Sequence, residues 1–199
     1  MSWIQLRSGR VFDFQQMLQG GDQFIDDGDI GWALGHLCRF TGHTRRFYSV
    51  AEHTLNMIRV ARQAPTDFSP RGKIELEGAI LLHDAHEALI GDVSSPLKMM
   101  LGDQFRDFDR NISRCVRKTL GGPPLDSIAW DNCKKVDALM LRLEAQDLMA
   151  WPTREWDMLI PDDGVYLCIG ETELSCQQWS MKWIDGFRDW KKRYAEFNK

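Results

Sequence analysis

The residues Ala79-Ile80-Leu81-Leu82-His83-Asp84-Ala85-His86-Glu87 place ionisable side chains directly after an apolar run. The run predicts the buried centre of a helix over Lys73 to Ile90, which ends at Gly91. A buried carboxylate without a partner costs several kcal/mol, so Asp84 needs a compensating group. A metal ion would compensate it, because the ion neutralises the carboxylate and binds the lone pair of the His83 imidazole.

In that helix, Glu87 lies four residues after His83 and three after Asp84. Side chains at these spacings share one helix face, so an imidazole and two carboxylates are expected side by side. This arrangement suits metal ligands together with an acid–base group. His86 borders the same face, and ordinary packing is the favoured interpretation for it.

Two further polar residues interrupt the apolar stripes of other predicted helices. His53 does so in a helix that begins near Ser49, and Asp137 does so in a later helix. One such residue alone is usually a hydrogen-bonded core residue. Together with His83 and Asp84, they offer two imidazoles and two carboxylates on three helices, which predicts a metal site.

The composition restricts the class of protein. The chain has 199 residues, of which 43% are hydrophobic and 27% charged, and its net charge is -4. These values are typical of one globular domain, and no Lys/Arg run suggests binding to a nucleic-acid polymer. The five cysteines are never in CxxC spacing, which argues against a disulfide scaffold or a zinc ribbon. No signal peptide or membrane-spanning run is visible, so we expect a cytoplasmic protein without membrane contact.

The remaining patterns predict a mostly all-α single domain over residues 1–199 with a small N-terminal strand pair. The N-terminal part, residues 1–28, contains a hairpin whose turn is Arg7-Ser8-Gly9-Arg10. The helical core covers about residues 30–150. A final helix over residues 175–198 has an aromatic stripe, which we expect to pack on the bundle or on a subunit partner. The stripe consists of Trp179, Trp183, Phe187, Trp190, Tyr194 and Phe197.

Turn and cap residues predict where the core helices begin and end. Asp29 is expected to cap a short helix after the hairpin. A Ser/Pro loop is predicted over residues 92–98. The helix after this loop ends before Gly121, and Asp126 or Ser127 caps the following one.

The order His53, His83-Asp84 and Asp137, with Glu87 and Gly91-Asp92 at fixed spacing, resembles the signature of HD-domain metal-dependent phosphohydrolases. The closest likeness is to small bacterial 5′-deoxyribonucleotidases and to phage enzymes that hydrolyse dATP. The resemblance covers the helical core and implies an HD-domain helical bundle. It also implies one divalent ion, Mn, Co, Zn, Fe, Ni or Mg, bound by the two imidazoles and two carboxylates.

The resemblance also implies roles for residues around the metal. Arg39 would hold phosphate, and Phe40 would pack on the base where the family usually has Trp. Glu87 would carry a proton or orient water, Asp92 would orient the substrate, and Lys98 would contact phosphate. The alternatives are ordinary surface cations for Arg39 and Lys98, and a turn cap for Asp92.

His43, Arg45 and Arg46 lie in the loop before His53. Their positive charge would suit a polyphosphate substrate. The alternative is that Arg45 and Arg46 form an exposed pair without a ligand.

The function implied by the resemblance is metal-dependent hydrolysis of nucleotides, most of all deoxynucleoside mono- or triphosphates, by a homo-oligomer. The alternative is a non-catalytic HD-like protein that binds a nucleotide or a partner. A phosphodiesterase for oligonucleotides is disfavoured, since no further His pairs would hold a second metal. A zinc protease is excluded, because His83 and His86 are three residues apart and not in HExxH spacing.

Overall fold

A computed structural model describes residues 2–63, 68–150, 169 and 174–198 of the chain. The fold is mostly helical with one small two-stranded sheet at the N-terminus, which confirms the predicted class. Among the described residues, no helix has both the length and the apolar character needed to cross a bilayer.

The N-terminal hairpin forms as predicted. Strands β1 (Trp3–Gln5) and β2 (Val11–Asp13) pair antiparallel, with Ile4 opposite Phe12. Gly9 lies in the connecting turn with φ of 85°, a left-handed conformation that glycine adopts without a steric cost. The buried Phe12 ring attaches the hairpin to the core.

Helix α1 (Phe14–Leu18) follows the hairpin, and helix α2 (Asp27–His36) follows α1. Asp26, not Asp29, caps α2, because the Asp26 side chain accepts the Asp29 N–H at 2.8 Å. The prediction that Asp29 is the cap was therefore wrong. Its carboxylate instead accepts hydrogen bonds from the backbone N–H and hydroxyl of Ser8, at 2.8 and 2.7 Å. This pair ties the hairpin turn to α2.

Four helices form most of the core: α3 (Val50–Gln63), α4 (Pro70–Leu82), α7 (Ile128–Leu148) and α8 (Cys176–Phe197). Helix α8 packs against α2, α3 and α4.

The aromatic stripe of α8 faces the core of this chain, which confirms its packing on the bundle. Trp183, Phe187 and Trp190 are fully buried. The indole N–H of Trp190 donates to the Ile74 carbonyl of α4 at 2.8 Å. A Cβ at Gly78 would lie 2.2 Å from the Trp190 ring, so this contact between α4 and α8 requires glycine.

Helix α4 ends at Leu82 and not at Ile90 as predicted. The His83 ring donates from Nδ1 to the Ile80 carbonyl at 2.6 Å. The Glu87 N–H then donates to the Asp84 carbonyl three residues back, at 2.9 Å, instead of four residues back. A tight turn over residues 83–86 therefore separates α4 from the short helix α5 (Glu87–Ile90).

Helix α6 (Ser95–Leu120) begins inside the predicted 92–98 loop, because Pro96 in its first turn has a backbone φ suited to helix. Gly102, with φ of 75°, interrupts α6 near its start, and Gly121 ends it in the left-handed conformation. Ser127 caps α7, as one of the two predicted alternatives.

Candidate metal centre

Three predicted ligands converge between α3 and the turn that follows α4. One ligand atom from each of His53, His83 and Asp84 lies within 4.8 Å of the other two, so this group could hold a metal ion. The Nε2 atoms of the two imidazoles are 3.3 Å apart. Asp84 Oδ2 lies 3.0 Å from His83 Nε2 and 3.9 Å from His53 Nε2.

The second nitrogen of each imidazole is anchored to an acceptor. His53 Nδ1 donates to the Glu144 carboxylate, and His83 Nδ1 donates to the Ile80 carbonyl. Both Nε2 atoms therefore face the same point, next to the Asp84 carboxylate. Two imidazole nitrogens and a carboxylate oxygen that face one point are a donor set that fits a divalent ion.

The fourth predicted ligand, Asp137, projects from α7 toward the same group. Its Oδ1 lies 3.3 Å from His53 Nε2. The Asp137 side chain is 43% exposed, whereas that of His53 is fully buried. Asp137 thus lies at the solvent side of the cluster, beside the three residues that converge most closely.

Glu144 is a functional residue that the sequence analysis missed. It lies on α7 two turns after Asp137, is fully buried, and accepts hydrogen bonds from His53 and from Arg39 at 3.2 Å. Burial raises the pKa of Glu144, but the charges of His53 and Arg39 outweigh burial and hold that pKa below its usual value. The signal in the sequence was an acidic residue seven positions after Asp137, on the same helix face.

The charges around His53 favour its protonated form when no metal is bound. Burial and the Arg39 charge lower the pKa of His53, but Glu144 and Asp137 outweigh them and raise it to about 9. The imidazole must lose this proton before it can bind a metal ion.

Arg39 lies inside the site, so it is not an ordinary surface cation. Its guanidinium is 3.5 Å from Asp84 and 3.2 Å from Glu144, and its side chain is only 12% exposed. Burial lowers the pKa of Arg39, but the charges of Glu144 and Asp84 raise it further above its already high usual value. Phe40 follows with a φ of 55° and packs partly buried against the core, with its ring 5.6 Å from the Arg39 guanidinium carbon.

Glu87 and Lys98 lie side by side near Asp84. Glu87 is buried, and its Oε2 has no hydrogen-bond partner among the described residues. Burial, followed by the charges of Asp84 and Asp92, raises the pKa of Glu87 well above its usual value. Lys98 Nζ lies 3.7 Å from Glu87 Oε1 and 3.6 Å from Asp109, so Lys98 is not simply solvated.

Asp92 follows Gly91 at the end of α5 and is half-buried. Burial raises the pKa of its carboxyl group, although the nearby Arg39 charge lowers it. The carboxyl group is thus within electrostatic range of Arg39 and Asp84.

The part of the loop before α3 that carries His43, Arg45 and Arg46 is not drawn into the site. The side chains of His43 and Arg45 are exposed, and in the described part of the chain no hydrogen bond or ion pair links them to the cluster. Arg46 instead pairs with the buried Glu52, at 2.9 Å, and its guanidinium lies over the Tyr48 ring. The alternative interpretation, an exposed Arg45-Arg46 pair, therefore does not hold for Arg46.

Comparison with known proteins identifies relatives. No family model matches the chain. Over 160 residues it is 32% identical to the uncharacterized protein YfdR of Escherichia coli, an alignment that covers 78% of this chain and 80% of that protein. The chain belongs to the YfdR family. Another protein similar to this YfdR-family chain is the uncharacterized protein RCAP_rcc00048 of Rhodobacter capsulatus, 29% identical over 161 residues and covering 79% of each chain.

Proposed function

We propose that this YfdR-family chain is an HD-type, metal-dependent phosphohydrolase that acts on deoxynucleoside mono- or triphosphates. One observation carries the proposal. The anchored imidazoles of His53 and His83 direct their Nε2 atoms to one point beside Asp84, with a guanidinium and a buried carboxyl group close by. This combination supplies the groups that phosphoryl transfer to water requires.

His53, His83, Asp84 and Asp137 would hold the ion. Nitrogen and oxygen donors suit Mn, Co, Fe, Zn or Ni, and Mg is a further candidate from the resemblance. A divalent ion bound there supplies Lewis acidity, which activates water and polarises a phosphoryl oxygen.

Arg39 would bind and orient the phosphate. Its guanidinium already lies 3.5 Å from Asp84, so a phosphate at the ion is within reach of the same fork of N–H groups. Glu144 holds the opposite side of that fork at 3.2 Å and fixes its direction. Phe40, next in the chain, would contact the nucleoside.

Glu87 would take a proton from the attacking water or orient that water. Its position next to Asp84, its burial and an Oε2 atom without a hydrogen-bond partner among the described residues support this role. Lys98, 3.7 Å from Glu87, would balance charge on the phosphate, and Asp92 would orient the substrate. The exposed His43 and Arg45 would contribute only to a longer phosphate chain.

The substrate class and the homo-oligomer rest on the resemblance to HD phosphohydrolases, whereas the scattered cysteines support the cytoplasmic location. We also propose that no nucleic-acid polymer is a substrate, because the sequence has no Lys/Arg run long enough to suggest a nucleic-acid footprint.

The test is a hydrolysis screen of all dNMPs, NMPs, dNTPs and NTPs with each candidate metal, followed by chromatography. Asp84→Asn is measured in parallel, with Asp131→Asn on the exposed side of α7 as the matched control. Triphosphate release from a dNTP, or phosphate release from a dNMP, that Asp84→Asn alone abolishes supports the proposal and identifies the bond broken. Equal traces for wild type and Asp84→Asn on every substrate overturn it and favour a non-catalytic nucleotide-binding protein.

A further inference from the structure

A second candidate site lies on the other side of the 83–86 turn. The α6 cleft has a volume of about 570 Å³, and its lining includes His86, Lys98, Ser113 and Arg117. None of the predicted metal ligands lines it. The turn separates the two places, because the His83 ring faces His53 while the His83 carbonyl accepts a hydrogen bond from Arg117 at 3.3 Å.

The lining of the α6 cleft has an excess of positive charge. Four arginines lie along α6 at steps of four, four and three residues, and Asp109 is the only acidic residue among the described residues of the lining. They are Arg106, Arg110, Arg114 and Arg117.

Two of these arginines form no ion pair in the part of the chain that the structure describes. Arg106 and Arg110 pair with Asp103 and Asp107 on their own helix. Arg114 and Arg117 do not form such a pair. Asp109 acts on Arg117 through its charge, but it is shared with His86 at 3.2 Å and Lys98 at 3.6 Å, so the cations outnumber it. The cleft therefore attracts anions.

Buried polar atoms in the same lining lack partners. His86 is 5% exposed and Ser113 is 7% exposed. Among the described residues, no hydrogen bond reaches His86 Nδ1, Ser113 Oγ or the buried Nε of Arg117. Buried polar side chains normally have partners, so three such atoms around one charged cleft indicate a ligand with several acceptor oxygens.

We propose that the α6 cleft is an anion site beside the metal centre, with Lys98 at the boundary between the two, that binds an oligophosphate group. Several phosphates match the spread of cations along α6 better than one, because Arg106 and Arg117 are three helical turns apart. The ligand is either free oligophosphate or the phosphate chain of a nucleotide, for which Phe105 and Leu125 in the lining offer apolar surface. The site does not depend on hydrolysis at the metal centre.

The test is a calorimetric titration of inorganic triphosphate into the full chain with a chelator present. We expect saturable binding by wild type and by Asp84→Asn, because neither an ion nor the metal ligands are needed. Arg110→Gln and Arg114→Gln change exposed helical positions and should each weaken binding roughly tenfold. Arg59→Gln, an equal charge change at an exposed position of α3 outside the cleft, should leave it unchanged.

The source of the oligophosphate is distinguished by adding a dNTP to the chelator-treated complex. Displacement of inorganic triphosphate shows that nucleotides occupy the α6 cleft, and lack of displacement assigns it to the free anion. Either result supports the site. The proposed site is overturned if the wild type shows no saturable triphosphate binding or if Asp84→Asn abolishes that binding. It is also overturned if Arg59→Gln weakens triphosphate binding as much as the α6 variants do. Loss of hydrolysis in the substrate screen does not bear on this result.

Discussion

Glu144 accepts a hydrogen bond from Nδ1 of His53, a residue 91 positions earlier in the chain. The same carboxylate accepts from Arg39. One buried acid thus fixes the imidazole that would bind the metal and the guanidinium that would bind the phosphate. Four predictions begin from this arrangement and from the packing that supports it.

Glu144→Gln should weaken metal binding by roughly 10- to 100-fold, because the amide no longer strengthens the basicity of His53 or fixes its ring. Titration of Mn or Co into the chelator-treated and dialysed protein measures the change. Glu196→Gln, an exposed position on α8, removes the same charge far from the site. Equal metal affinities for wild type and Glu144→Gln would show that Glu144 does not support the metal ligand.

Without metal, the free energy of unfolding should fall as pH rises from about 6.5 to about 9. The folded-state pKa of His53 is about 9, above its ordinary 6.5, so its proton stabilises the fold fully below pH 6.5 and this stabilisation is lost as pH rises through 9. The shift corresponds to roughly 3 kcal/mol. Urea unfolding with chelator at several pH values measures it.

The control for this pH effect is His53→Gln, which should lack the decline over the same pH range. Saturating metal should reverse the sign, because the ligands must be deprotonated to bind the ion and binding to the folded state then strengthens with pH. A flat pH profile for the metal-free wild type would contradict the prediction.

Glu87→Gln should lower kcat by about 10²- to 10⁴-fold if Glu87 handles the proton of the attacking water. Metal affinity should change much less, because Glu87 is not one of the converging ligands. Steady-state kinetics on the substrate found in the screen, together with a metal titration, separates the two effects. A kcat close to that of wild type would remove Glu87 from the proposed mechanism.

Gly78→Ala should destabilise the fold by about 1–3 kcal/mol, because its Cβ would lie 2.2 Å from the buried Trp190 ring. Gly186→Ala is the matched control in α8, where a Cβ would lie 3.8 Å from Leu55, an ordinary contact. That control should be neutral or stabilising by up to about 1 kcal/mol, since alanine favours helix. Denaturant midpoints for the two variants test the contrast, and equal midpoints would contradict it.

The sequence predicted three residues of the candidate metal cluster because each is a polar residue in an otherwise apolar helical pattern. His53, His83 and Asp84 converge for the reason that made them conspicuous, since a buried polar side chain requires a partner. The hairpin was predictable from local turn chemistry. Each of these features depends on residues that are close together in the sequence, or on one polar residue among apolar neighbours.

The helix boundary at Leu82 could not be predicted in the same way. Periodicity favours a continuous helix to Ile90, and the break depends on a hydrogen bond from the His83 ring to the Ile80 carbonyl. Asp29 was assigned as a cap because the pattern cannot show that its carboxylate binds Ser8, 21 residues away. A side-chain hydrogen bond decided each case, between residues three positions apart in the first and 21 positions apart in the second.

The break at Leu82 also lets two side chains within a stretch of four residues point in different directions. The His83 ring points to the ligand cluster, while the His86 ring points away from it to Asp109 on α6. A continuous helix would have placed these two rings on adjoining flanks of one surface. The two sites can therefore change independently. A substitution at His86 alters the lining of the α6 cleft and leaves the donor atoms of the metal cluster in place. A substitution at His83 alters the cluster and leaves the lining of the cleft in place. Within one lineage, the proposed hydrolysis and the proposed anion binding would then be free to diverge separately.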